Sequence, residues 1–225
     1  MEQISDIAMW ALPAIIAITL HEAAHGWAAW RLGDDTAWRL GRVTFNPLRH
    51  IDPLGTVLLP AFLILAHAPF LFGWAKPVPV AFHRLRDPRW GMVAVALAGP
   101  ATNLFLALVS ALLLHAAEFV PGAAGDWIGG ALVRSVMVNV VLAVFNMLPI
   151  PPLDGGRVLV GVLPRRLAIR FARVERYGMP LMIGLVFLLP FVALQFGYVI
   201  NPLAAILTKP VEMLFHGIAL VTGQD

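Results

Sequence analysis

The sequence predicts an all-α multi-pass membrane protein. Of its 225 residues, 60% are hydrophobic and 13% are charged, whereas a soluble domain has roughly 25% charged residues. The mean hydropathy is +0.81, and the apolar residues gather in runs close to the roughly 20 residues that cross a bilayer. This composition excludes a disordered tail, and the absence of cysteine from the sequence excludes a disulfide scaffold.

The apolar runs, taken in chain order, give the predicted spans. Tryptophans lie near the ends of several runs, as is typical of residues at the membrane interface. The N-terminus is acidic rather than basic, so we expect the first run to be retained rather than removed as a signal peptide. A run interrupted by Pro60 and Pro69 is doubtful as a span. The runs cover residues 7–30, 54–74 (the doubtful one), 90–120, 127–150, 179–200 and 203–221.

The charges of the loops indicate how 54–74 lies in the membrane. The loops on either side of it, 31–50 and 74–90, are basic, as is the segment 155–178, whereas the segment 118–127 carries only acidic charges. Basic loops collect on the cytoplasmic side, and all three share that side only if 54–74 dips in and returns. We therefore expect a re-entrant or interfacial element there, with the N-terminus outside.

Two short segments outside the helices, 39–46 and 74–82, are predicted to be extended. Pro77 and Pro79 forbid a helix in the second and suit an edge strand, so a small membrane-associated β element is expected beside the helices. We expect one membrane domain over 1–225. No nucleic-acid-binding motif accompanies the net charge of +3, so the basic residues are interpreted as determinants of topology.

The first apolar run contains His21-Glu22-Ala23-Ala24-His25. Positions i and i+4 share one face of a helix, so both imidazoles can bind one metal ion, with Glu22 as a general base acting on water. Ionisable residues inside a membrane helix are costly and usually functional. The alternative is a polar patch satisfied by neighbouring helices, as in a transporter.

A catalytic zinc needs a third protein ligand, and the next histidine after His25 is His50. Asp154 is a candidate, because the prolines and glycines around it break the fourth helix near its cytoplasmic end. Broken backbone at membrane depth is tolerated only where it faces protein or a wet cavity. An ordinary aspartate at a helix end remains the alternative. His50 itself can be a supporting group near the site or an interfacial loop residue.

Together these motifs resemble the site-2 protease family of intramembrane zinc metalloproteases. The resemblance runs from about residue 7 to 158 and rests on three motifs. They are HEAAH in the first run, Ala98-Gly99-Pro100-Ala101-Thr102-Asn103 in the middle one, and Asn146-Met-Leu-Pro149-Ile-Pro151-Pro-Leu153-Asp154-Gly155 after the fourth. The chain resembles the compact members, without the PDZ or CBS domains of other branches.

The resemblance implies a three-helix catalytic core within 7–158, followed by a basic cytoplasmic segment and C-terminal helices in 159–225. It also implies one Zn²⁺ held by His21, His25 and Asp154, with Glu22 as base and proton shuttle. Asn103 and Asn146 are candidates for stabilising the oxyanion of the tetrahedral intermediate, and interhelical hydrogen bonding is their alternative role.

The expected substrate is a single-pass transmembrane protein in the lipid bilayer, cut by regulated intramembrane proteolysis. The expected location is a cell membrane, namely the bacterial plasma membrane, with the active site toward the cytoplasmic leaflet. Two other classes of function are alternatives. A transporter or metal-binding channel could use the same His and Asp residues, but it needs no general base. A catalytically inactive adaptor is disfavoured, because Glu22 and every ligand candidate are present.

Overall fold

The computed structural model describes residues 2–65 and 73–224, with side chains from residue 5 onward. Ten α-helices are found in this part of the chain, joined by short 3₁₀ and π-helical turns. They are α1 (Glu2–Arg31), α2 (Thr36–Arg39), α3 (Leu59–Leu65), α4 (Pro88–Ala117), α5 (Ala123–Asn146), α6 (Asp154–Val162), α7 (Arg165–Ala172), α8 (Gly178–Ile183), α9 (Leu189–Gln195) and α10 (Pro202–Thr222).

Five helical stretches among the described residues are long and apolar enough to cross a membrane. They are Ser5–Arg31, Pro88–Ala117, Ala123–Asn146, Arg165–Gln195 and Pro202–Thr222. The prediction of an all-α multi-pass membrane protein is therefore confirmed. The fourth stretch begins earlier than the predicted run, because α7, which holds much of the basic segment, leads directly through α8 into α9.

Helices α1, α4 and α5 pack against one another, and α6 packs on α4. Small side chains let α4 and α5 approach closely, which is how helices associate where lipid removes the hydrophobic driving force. Ala107 and Ala111 of α4 are buried against Val136 and Val140 of α5. The start of α4 is fixed by the Asp87 side chain, which accepts hydrogen bonds from the backbone N–H groups of Arg89 and Trp90.

The segment after α2 turns back on itself. A π-helical turn, Pro53–Leu58, leads into α3, and residues 66–72, which include Pro69, lie outside the described residues. The N–H of Trp74 donates to the carbonyl of Gly55 at 3.2 Å, and the hydroxyl of Thr56 donates to the carbonyl of Trp74 at 2.9 Å. The two ends of 54–74 thus lie side by side, as a returning element requires.

The small β element is the one part of the predicted fold that needs correction. No strand is found in the described residues, and 39–46 forms the end of α2 followed by turns. The segment 74–81 is free of helix, as Pro77 and Pro79 require. It does not pair as a strand, because side chains and turn backbone, rather than a neighbouring strand, bind its N–H and C=O groups.

Candidate active site

The two histidines of the HEAAH motif lie one turn apart on α1 and point to the same side. Their ring centroids are 4.6 Å apart, and their rings stand at 89°. Both residues are buried, with 6% of His21 and 7% of His25 exposed. The helical spacing therefore brings both imidazoles to one point inside the bundle, as the sequence predicts.

Asp154 reaches the same point from α6. The chain leaves α5 at Asn146, passes through the turns of 147–153 and begins α6 at Asp154. The Oδ2 of Asp154 lies 3.2 Å from Nε2 of His21 and 3.3 Å from Nε2 of His25. Those two nitrogens are 3.0 Å apart. The three side chains form a group able to hold a metal ion.

The hydrogen bonds around this group test whether it fits a cation. The Nδ1 of His21 lies 2.6 Å from Oδ1 of Asn103, and the Nδ1 of His25 lies 2.7 Å from the carbonyl oxygen of Val95. Both partners are acceptors, so each Nδ1 carries the proton and each Nε2 presents a lone pair. The buried Asp154 Oδ2 accepts no hydrogen bond from the described residues.

Three electron-pair donors thus face one another, an arrangement that a cation stabilises and that is otherwise repulsive. Four ligands at about 2.0–2.1 Å from zinc in a tetrahedron lie roughly 3.3 Å from one another. The observed separations of 3.0–3.3 Å between the ligand atoms are close to that spacing. The residues therefore fit zinc in both chemistry and geometry.

Gly99 explains why the middle helix can lie against the two imidazoles. A methyl group on Gly99 would stand 2.5 Å from Cε1 of His21 and 2.6 Å from Nε2 of His25. Real Cβ atoms do not approach other atoms so closely, so any side chain here would displace a ring. The glycine in the Ala98-Gly99-Pro100 motif thus forms the floor of the candidate metal site.

Glu22 lies next to His21 and contacts the extended segment 74–81. Its Oε2 accepts the backbone N–H of Val78 at 2.8 Å. Nearby, Arg42 is buried and its Nη2 donates to the carbonyl of Lys76 at 2.7 Å. Burial lowers the pKa of Arg42 from its ordinary value, and the nearby Glu22 carboxylate opposes that shift. The candidate base is therefore held by backbone and lies close to a buried cation.

The structure places the two asparagine candidates differently. Asn103 is fully buried: its Oδ1 faces His21, and its Nδ2 donates to Oδ1 of Asn139 at 2.9 Å. Its hydrogen-bonding groups are therefore turned to the bundle. The Nδ2 of Asn146 donates to the carbonyl of Leu142 in its own helix. Within the described residues no hydrogen bond joins Asn146 to the three ligand candidates.

Some residues around the site were missed by the reasoning from sequence. Asn139 supports Asn103, and the signal that singled out Asn146, an uncharged amide in an apolar helix, applied equally to Asn139. Val95 contributes only a backbone carbonyl, which no sequence pattern marks. Nothing in the sequence distinguishes Arg42 from the other basic residues of the loop 31–50. His50 is buried and its Nε2 lies 3.2 Å from the carbonyl oxygen of Thr44, so it supports the loop before α3.

Comparisons with known proteins agree with the motifs. The family model of Peptidase family M50 matches residues 123–189. YwhC of Bacillus subtilis (strain 168), whose name assigns it to the zinc metalloproteases, is 38% identical over 193 residues, which are 84% of this chain and 82% of YwhC. Rip2 of Mycolicibacterium smegmatis, named in the same way, is 35% identical over 63% of this chain and 52% of its own length. No solved structure matches.

The alignment with YwhC extends over most of both proteins, and the family model covers the helix and the broken segment that lead to Asp154. The chain belongs to peptidase family M50, the site-2 protease family of membrane-embedded zinc metalloproteases.

Proposed function

We propose that this chain is a zinc metalloprotease that hydrolyses a peptide bond in or near the transmembrane segment of a single-pass protein, as a step of regulated intramembrane proteolysis. The observation that carries the proposal is the buried group of His21, His25 and Asp154 beside Glu22, between helices long and apolar enough to cross a membrane. A hydrolytic site at that depth suits a substrate that is itself in the membrane.

The roles follow from the donor atoms. His21, His25 and Asp154 would hold the ion through Nε2, Nε2 and Oδ2. A zinc ion there would supply Lewis-acid chemistry, namely polarisation of the scissile carbonyl and a lower pKa of water, toward about 7. Glu22 takes the proton from the attacking water and delivers it to the leaving amine. Its Oε2 is fixed by the N–H of Val78, so the carboxylate is oriented before the substrate arrives.

Stabilising the oxyanion needs a donor near the reacting carbonyl, and Asn103 and Asn146 are the candidates for it. The contacts of Asn103 favour its alternative role: its Oδ1 fixes the tautomer of His21, and its Nδ2 donates to Asn139. Asn146 donates one of its two amide N–H groups to the carbonyl of Leu142 in its own helix, which leaves the second as a donor for a substrate.

A helical substrate hides its peptide bonds, so it must unwind before it can be cut. The extended segment 74–81, whose Val78 donates to Glu22, is the part of the chain that could pair with the unwound backbone by strand addition. It would do so through those backbone groups that the contacts of Glu22, Asp34, Arg42 and His50 do not already use. An apolar groove of about 400 Å³ beside it is lined by Ile15, Ile18 and Trp74, among other residues. Ile15, Ile18 and Glu22 share one face of α1, so the groove leads toward the base.

Three single substitutions test the proposal against a transporter. Purified wild type should contain zinc, and His21→Ala and Asp154→Ala should lose it. Glu22→Gln should keep zinc but lose cleavage of a panel of tagged single-pass proteins co-reconstituted in liposomes. Glu118→Gln, on an exposed glutamate just beyond α4, is the matched control and should cleave normally. Cleavage by Glu22→Gln, or a wild type without zinc, would disprove the protease.

A further inference from the structure

Arg42 is a buried cation that the roles described so far do not use. It lies in the turns after α2, and 8% of it is exposed. Its Nη2 donates to the carbonyl of Lys76 at 2.7 Å and to that of Pro77 at 3.5 Å. Burying a guanidinium is costly unless hydrogen bonds and an opposite charge compensate it. Glu22 is a carboxylate close enough to interact with its charge.

The contacts of Arg42 hold one end of a very short piece of chain. Arg42 binds the carbonyls of residues 76 and 77, and the next N–H along, that of Val78, donates to Oε2 of Glu22 at 2.8 Å. Pro77 and Pro79 restrict the backbone torsions of this piece. A displacement of the carbonyls that Arg42 holds would therefore be transmitted to the N–H that holds the base.

Packing against α1 shows that this arrangement is close-fitting. Gly26 lies one turn after Glu22, on the same face of α1. A methyl group on Gly26 would lie 2.9 Å from Cγ2 of Val43 and 3.1 Å from Cγ1 of Val78. The chain on both sides of the Arg42 contact, at Val43 and at Val78, thus lies directly on the helix face that carries the base.

We propose that Arg42 is a positioning residue for the hydrolysis. It clamps the segment 76–78 onto α1, so that the N–H of Val78 fixes one oxygen of the Glu22 carboxylate and leaves the other for the reacting water. This inference rests on the proposed function and deepens it. Arg42 does not touch the three ligand candidates in any described contact, so its effect falls on the orientation of the base and not on zinc binding.

The test compares Arg42→Met, which keeps the length but removes the donors and the charge, with Arg42→Lys and with Arg49→Met on an exposed arginine of the same loop. The reporter is whichever tagged single-pass protein the wild type cleaves. Arg42→Met should lower kcat about 10- to 100-fold, the cost of misplacing a reacting group by about 1 Å. KM should change less than about twofold and zinc content should be unchanged. Arg42→Lys should restore part of kcat, and Arg49→Met should behave as wild type.

Two readouts separate positioning from general damage. Amide hydrogen exchange should rise in residues 74–81 of Arg42→Met, with little change in α4 and α5. In a double-mutant cycle with Glu22→Asp, whose shorter side chain cannot reach Val78 in the same way, Arg42→Met should cost clearly less than it does in the wild type.

The outcomes distinguish this inference from the proposed function. A wild-type kcat in Arg42→Met overturns the clamp and leaves the proposed protease unaffected. The same conclusion follows if the losses of kcat in Arg42→Met and Glu22→Asp are additive in the double mutant, or if Arg42→Met loses zinc. A wild type that cleaves nothing overturns the protease and with it the role of Arg42 in hydrolysis, but a rise of exchange in 74–81 of Arg42→Met would still show that Arg42 clamps this segment. Unchanged exchange in that segment of Arg42→Met overturns the clamp whatever the wild type cleaves.

Discussion

Gly99 decides how closely α4 can approach the two imidazoles. We predict that Gly99→Ala will weaken zinc binding about 10- to 100-fold, the usual cost of disturbing groups that orient metal ligands. The added methyl group would stand 2.5–2.6 Å from ring atoms of both histidines, so at least one ring must move. Zinc affinity can be measured by competition with a chelator of known affinity.

Gly129 provides the control for that substitution. It lies in α5, another membrane helix, and a methyl group there would meet nothing within 4 Å. Gly129→Ala should therefore keep wild-type zinc affinity. Equal affinities for the two variants would show that α4 does not form the floor of the site.

The same residues show what sequence could and could not establish about the site. His21, Glu22, His25 and Asp154 were identified because ionisable groups are conspicuous in apolar helices. The hydrogen bond from His25 to the carbonyl of Val95 could not be predicted, since every residue has a carbonyl and only packing selects one. The role of Gly99 likewise depends on how two helices face each other, which motif spacing does not encode.

Among the helices, α6 carries Asp154 to the candidate metal site and packs on α4. It is only nine residues long, and its far end is fixed by Arg89 of α4, whose side chain donates to the carbonyls of Gly161, Val162 and Leu163. These are orphan carbonyls at a helix end, which require partners. Gly161 also packs directly on Val93 of α4. Arg89 therefore ties the helix of Asp154, the third candidate ligand, to the same helix that carries Gly99.

We predict that Arg89→Met will weaken zinc binding about 10-fold, because α6 would be free to shift Asp154. Arg166→Met, on an exposed arginine of α7, is the control and should have no effect. The rate of zinc loss to excess chelator at constant temperature measures the difference. An unchanged rate in Arg89→Met would mean that the break at 147–153 alone positions Asp154.

Asp34 joins the corner between α1 and α2 to the extended segment 74–81. Its carboxylate is fully buried and accepts the N–H of Ala81 at 2.6 Å and the N–H of Thr36 at 3.1 Å. Burial alone would raise the pKa of Asp34, but the hydrogen bonds from Thr36 and Ala81, with the nearby charge of Arg84, lower it below its ordinary value. The folded protein therefore favours the ionised form.

This shift gives a pH dependence with a definite sign. A carboxyl whose pKa is lower in the folded state stabilises the fold above its unfolded pKa of about 3.9, and that contribution is lost as the pH falls from that value through the folded pKa. The thermal unfolding temperature in detergent should fall over this range in the wild type, and the fall should be smaller in Asp34→Asn. Parallel curves for the two proteins would contradict the assignment to Asp34.

For the whole molecule, composition was enough to predict the class of fold, because 60% hydrophobic residues in long runs leave few alternatives to a membrane bundle. The strand expected at 74–82 was wrong for a physical reason. Pro77 and Pro79 do exclude a helix, but an extended backbone becomes a strand only when another strand pairs with it. Here Glu22, Asp34, Arg42 and the carbonyl of His50 provide the partners instead.

The orientation of the bundle can be tested directly, because the sequence contains no cysteine and a single introduced cysteine is therefore labelled without background from other thiols. The hydrogen bonds between Gly55, Thr56 and Trp74 bring the two ends of 54–74 together, so the flanking loops must lie on one side. Since those loops are basic, we predict that this side is the cytoplasm. In intact cells a membrane-impermeant maleimide should label Phe119→Cys, which lies in the acidic loop and is 87% exposed.

Arg49→Cys and Arg86→Cys, both on exposed residues, should be labelled only after the cells are opened. Arg166→Cys should behave in the same way, which would place the basic segment beside them. Labelling of Arg49→Cys and Arg86→Cys from opposite sides would mean that 54–74 crosses the membrane, and His21, His25 and Asp154 could then not be assigned to the cytoplasmic leaflet. Labelling of all three arginine positions in intact cells would show that the bundle has the opposite orientation. The candidate metal site would then lie near the outer surface.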